Sequence, residues 1–88
     1  MAQIIKTNGT IIEVEPKNGR DFKLKELQSI VDGMISIHAT TDVRTMIIND
    51  EGKGLGLPYN ESATKIYKYG KQDFIVGSAL ICEHNEVK

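Results

Sequence analysis

Between Asn49 and Asn60, three glycines fall within five residues, Gly52-Lys53-Gly54-Leu55-Gly56. Backbone without side chains can approach a ligand closely, and successive N–H groups can form a concave anion nest. Lys53 would add positive charge to such a nest. The competing reading is a tight hairpin followed by an irregular strand, because a Gly-x-Gly step without its third glycine is a weak phosphate signal. A second group is Lys65-Ile66-Tyr67-Lys68-Tyr69-Gly70-Lys71. Lysines interleaved with tyrosines can hold a phosphorylated, planar molecule through charge and stacking. The same composition also suits a solvated helix end. Together these segments nominate Gly52, Lys53, Gly54, Gly56, Tyr67, Lys68, Tyr69 and Lys71 as ligand-binding residues. Asn49, Asp50 and Asn60 are assigned instead to turn and cap formation.

Other chemistries find less support. His38, Cys82 and His84 are the soft ligands, and Cys82-Glu83-His84 lacks the paired spacing of a structural zinc site, so no metal is expected. Ser36 and His38 share a strand face by alternation, but no orienting acid or oxyanion hole accompanies them. Glu13 and Glu15 read as the solvated side of a strand rather than an acid pair. The expectation is therefore a non-enzymatic protein without a cofactor.

Composition narrows the partners. The chain of 88 residues carries 11 Lys and Arg against 12 Asp and Glu, a net charge of −1. That balance argues against a general nucleic-acid binder, and the 6% aromatic content argues against a broad base-stacking platform. No apolar run reaches the roughly 20 residues that span a bilayer, so no membrane partner is expected. The single cysteine suits a reducing compartment. The length fits one domain, 1–88, with a small core that self-association would reinforce. A homo-oligomer, a dimer or higher, is expected.

The elements that must position these residues follow from pattern. Ile4-Ile5, a turn at Asn8-Gly9 and the strand Thr10–Glu15 predict a hairpin in which both turn residues accept positive φ, and Pro16 ends it. Asp21 is the expected cap of a helix whose stripe is Leu24, Leu27, Ile30 and Val31, with Gly33 as its left-handed terminator. Met34–His38, with Ile35 and Ile37 inward, and Arg44–Asn49 are the next strands. Gly52 is expected in a bulged turn after Asp50-Glu51, with Gly54–Pro58 extended beyond it. Asn60 should cap a second helix with Ala63, Ile66 and Tyr67 inward, closing at Tyr69-Gly70. Phe74–Cys82 is apolar enough to be a central strand, with Gly77 as a bulge or a close approach, and 83–88 reads as a frayed tail. The predicted class is α+β, mainly antiparallel, in the order β-β-α-β-β-α-β.

Several segments taken in order resemble a known family. They are Ile12-Glu13-Val14-Glu15-Pro16, Leu24-Lys25-Glu26-Leu27-Gln28, Val31-Asp32-Gly33-Met34-Ile35, Asn49–Lys53 with Gly56-Leu57-Pro58 and Asn60, and Ile75–Ala79. The family is domain of unknown function 3846, found in bacteriophages and conjugative elements. The basic, tyrosine-containing link before the last strand departs from its pattern. The resemblance carries over no catalytic residue. It implies a host bacterial cytoplasm and an accessory role. By analogy with other small phage proteins, that role is counter-defence by sequestering a nucleotide-derived immune signal. The alternative is an inhibitor that binds and blocks a host defence or regulatory protein.

Overall fold

The structure, a computed structural model, describes residues 2–42 and 44–87. Five strands form one antiparallel sheet: β1 (Ala2–Ile5), β2 (Ile11–Val14), β3 (Ile35–Ala39), β4 (Thr45–Asn49) and β5 (Ala79–Cys82). Their spatial order is β2-β1-β5-β4-β3. Helix α1 (Leu24–Val31) lies between β2 and β3 in the chain, and α2 (Glu61–Ile66) between β4 and β5. The α+β class and the element order follow the sequence pattern.

Alternation sorts β5 onto two covered faces. Leu80 and Cys82 join Ala2, Ile47, Phe22, Leu27 and Val31 on the α1 side. Ala79 and Ile81 join Ile5, Met46, Ala63, Tyr67 and Ile75 on the α2 side. All four residues of β5 are buried, as a central strand covered on both faces requires. The apolar run breaks upstream at Gly77, whose φ of +75° is left-handed and whose added Cβ would stand 2.8 Å from Leu57 Cδ1. Strand geometry therefore starts only at Ala79, and Val76 makes an isolated bridge to Tyr59.

Several boundaries differ from the sequence reading. Lys23, not Asp21, is the N-cap of α1, with Glu26 accepting from the Lys23 and Lys17 amides at 3.1 Å each. Asp21 is buried before the helix and accepts from Asn18 Nδ2 at 2.9 Å. The left-handed C-cap is Asp32, at φ 60°. Gly33 is required for space, since a Cβ there would lie 2.6 Å from Asn49 Nδ2. The first hairpin has a three-residue loop closed by Lys6 N–H donating to Thr10 O, and only Gly9 takes positive φ. Ile35 packs towards α1, but Ile37 is 59% exposed. An eight-residue helix is only about 12 Å long and does not reach the far end of the edge strand. Leu24, at the helix start, is exposed too.

Residues 50–56 form consecutive turns rather than a hairpin and an extended strand, and Gly56, not Gly52, is left-handed. Helix α2 ends at Ile66 because the Lys68 amide leaves the helix to donate to Ala39 O, while Thr41 N–H takes Ile66 O. The tail is not frayed over 83–87. His84–Glu86 is a 3-10 turn, Glu86 O accepts from Phe22 N–H at 2.7 Å, and Val87 packs on the α1-side core.

One buried residue ties these parts together. Asn60 is fully buried, and its Oδ1 accepts from Ala63 N–H while its Nδ2 donates to Ile5 O and Gly77 O. Asn60→Ala would leave two carbonyls and one amide unpaired in the core. The expected loss is roughly 3 kcal/mol or more of stability, read as a lower urea midpoint at unchanged slope.

Candidate functional site

The α2 side of the sheet is too large for a six-residue helix to cover, and the turns of 50–57 and 67–76 complete the layer. Two concavities result. The outer one, about 680 Å³ and broadly open, is bounded by Tyr59, Lys65, Lys68, Tyr69 and Lys71, with Tyr67 at its base. Among its lining residues there are three lysines and no carboxylate. The inner one is about 170 Å³ and holds Ser36, His38, Asp50, Lys53 and Asp73, with Tyr67 and Phe74 as aromatic walls.

Aromatic contacts separate and join the two. The Tyr67 ring meets His38 edge-on at 5.4 Å and Tyr69 edge-on at 5.9 Å, so one buried ring forms part of both walls. Tyr59, on the outer rim, meets Phe74, on the inner wall, at 6.0 Å. Tyr69 is half exposed, and the Lys68 ammonium stands 5.8 Å from its centroid.

The nominated residues divide between these places. Tyr67, Lys68, Tyr69 and Lys71 come together around the outer concavity, while Lys53 lies in the inner one. The glycine-rich turn spends much of its hydrogen-bonding capacity on itself. Gly52 N–H donates to Asn49 O, Leu55 N–H to Glu51 O and Gly56 N–H to Lys53 O. Gly52 is buried against Val76, and Gly54 and Gly56 are exposed. The amides of Gly52, Leu55 and Gly56 are thus taken up within the turn, and the Lys53 side chain carries its contact to the neighbouring segment. Lys53 itself is ion-paired with Asp73 and sits 4.4 Å above the Phe74 ring.

Sequence reasoning passed over Asp73 and Phe74, which no local pattern links to a lysine 20 residues away. It also set Ser36 and His38 aside as alternation. Their side chains are hydrogen-bonded at 2.6 Å, Ser36 Oγ to His38 Nε2. Burial holds the His38 imidazole below its ordinary pKa, against the opposing pull of the Asp73 and Asp50 carboxylates and with a small contribution from Lys53. A neutral ring suits a hydrogen-bonding wall. Asp73 is held below the usual carboxylate range by Lys53 first and by the Phe74 N–H second. Elsewhere, burial pushes the Cys82 thiol up to about 11, so it is a packed core group and not a nucleophile. Among the described residues no cluster of His, Cys, Asp and Glu could hold a metal ion, and no helix is long and apolar enough to cross a membrane.

The order of segments noted above extends to almost the whole chain, with a family match over residues 3–88. The chain belongs to the family Domain of unknown function (DUF3846). No curated protein and no solved structure matches it. The family description assigns no activity, so the reading of the site rests on its geometry.

The depressed His38 pKa makes a signed prediction about stability. Below the ordinary imidazole value of about 6.5, the unfolded chain takes up a proton that the folded ring resists. This contribution is complete above that value and is lost as pH falls towards the folded pKa. The urea midpoint should fall between about pH 7.5 and pH 5.5, and His38→Gln should flatten that slope.

Proposed function

We propose that this domain binds, without converting, an anionic nucleotide-derived molecule in the outer concavity. The observation that carries the reading is the local charge. Lys65, Lys68 and Lys71 line one open hollow with no carboxylate among its lining residues, although the chain as a whole is slightly acidic. Lys65 has a long contact to Glu61 at 3.6 Å, with both side chains mostly exposed, so little holds it back from a ligand. Tyr59 and Tyr69 are half exposed on the rim and offer faces to a planar ring. In the setting of a mobile-element protein in a bacterial cytoplasm, holding such a molecule would withdraw a host immune signal from its receptor. That is a counter-defence role needing no catalytic group.

Self-association belongs to the same proposal. Strands β2 and β3 are the sheet edges, and β2 exposes Ile11 and Ile12 on its opposite faces. A symmetric dimer joined edge to edge through β2 would bury them. Light scattering at high micromolar concentration should give twice the chain mass, and Ile11→Lys with Ile12→Lys should return it to the monomer.

Binding is tested by calorimetry with ADP-ribose and cyclic dinucleotides as probes. Each charge-assisted phosphate contact contributes on the order of 1.5–3 kcal/mol, so Lys68→Ala with Lys71→Ala should weaken binding about a hundredfold or more. Unchanged affinity in that variant would move the site elsewhere. No binding of any probe by the unaltered protein would overturn the reading and favour a protein inhibitor, sought next as a host partner.

A further inference from the structure

We propose that Lys53 is a second anion contact of this site and that Asp73 is its intramolecular place-holder, displaced from Lys53 when a phosphate-bearing ligand arrives. The inference rests on the ligand class just argued and assigns a role to the inner concavity. Asp73 belongs to the segment that carries Lys68 and Lys71, yet it faces the inner cavity while those lysines face the outer one. The Lys53–Asp73 pair therefore ties the 50–57 turn to the 67–76 segment across the mouth of the inner cavity.

Three features make the pair a replaceable clasp. Both side chains are about half exposed, which places it among ion pairs of small net value. The incoming group would be stronger, because a phosphate offers more acceptor oxygens and more charge than one carboxylate. The vacated space is also matched. At about 170 Å³ the cavity lies below the roughly 300–1,000 Å³ of a usual small-molecule site, so it can take a phosphoryl-sized group while the rest of the ligand lies outside. The Ser36–His38 hydrogen-bonded pair is exposed to that space, and the neutral imidazole adds no charge. The shared Tyr67 wall and the Tyr59–Phe74 contact make the two concavities adjacent parts of one surface.

Asp50 supplies the control. Its carboxylate also lines the inner cavity, but Lys53 pairs with Asp73. Any carboxylate removed nearby will favour an anion through the general field, whereas removal of a competitor acts only while Lys53 is present. A double-mutant cycle separates these effects. With ADP-ribose and inorganic pyrophosphate as probes, Asp73→Asn should tighten binding two- to fivefold, the fold equivalent of about 0.4–1 kcal/mol for an exposed pair. In the Lys53→Met background the effect of the same substitution should shrink to the small field effect that Asp50→Asn shows, and Lys53→Met alone should weaken binding. Asp50→Asn should act equally in both backgrounds. An Asp73→Asn effect that is absent, or that is undiminished without Lys53, overturns the place-holder. Binding that responds to Lys68 and Lys71 but ignores Lys53 and Asp73 overturns this inference and leaves the outer site standing. Failure of both probes to bind the unaltered protein and Asp73→Asn overturns this inference, and the outer site falls with it only when cyclic dinucleotides fail to bind as well.

Discussion

The hydrogen bonds of Asn60 are the constraint on which the α2 half of this molecule depends. Its backbone N–H donates to Ile75 O, and its backbone carbonyl accepts from the amide and hydroxyl of Thr64. Its side chain caps α2 through Ala63 and holds the end of β1 and the bend before β5 through Ile5 O and Gly77 O. Thr64 Oγ1 then accepts from Ile75 N–H, closing the circuit. A buried polar group is costly unless every donor and acceptor is paired, and here the pairing is complete. Three chain segments, the end of β1, the start of α2 and residues 75–77, are thereby fixed in one arrangement. Asn49 acts similarly at the other helix, where its Nδ2 donates to Val31 O and Asp32 O and its Oδ1 receives Glu51 N–H.

Fixing the short helix this way leaves the rest of the face to turns. At about 9 Å, α2 covers Ile81 and Met46 only in part, and the segments around it complete the layer. Turns that satisfy their own amides do not pack into a flat surface. Their irregularity produces the two hollows, and their anchoring through Asn49, Asn60 and Thr64 keeps those hollows in place.

Charge is distributed unevenly over that face. The near-balanced total charge averages over a three-lysine hollow and a neighbouring cavity lined by Lys53, Asp50 and Asp73. A small anion samples a field over about one Debye length, so local arrangement outweighs the sum. The aromatic rings between the hollows serve packing and site together. Tyr67 is core by burial and wall by position.

The sequence by itself determined the secondary-structure order, the antiparallel α+β class, the central place of the last strand and the cap at Asn60. Each is a short-range signal: alternation, an apolar run, or a polar side chain next to a helix start. It also grouped Tyr67, Lys68, Tyr69 and Lys71, because one turn after α2 carries them all. Only the tertiary structure decided what the glycine-rich segment does. The Gly52 and Gly56 amides close turns because Asn49 O and Lys53 O stand within reach, which composition does not reveal. It likewise decided that Lys53 faces Asp73, that Ser36 and His38 turn into a cavity instead of solvent, and that the tail docks through Phe22 and Glu86. Those contacts join residues remote in sequence or depend on what covers a strand face. Local periodicity fixes which side a residue points to, but the packed layer above it decides what it meets.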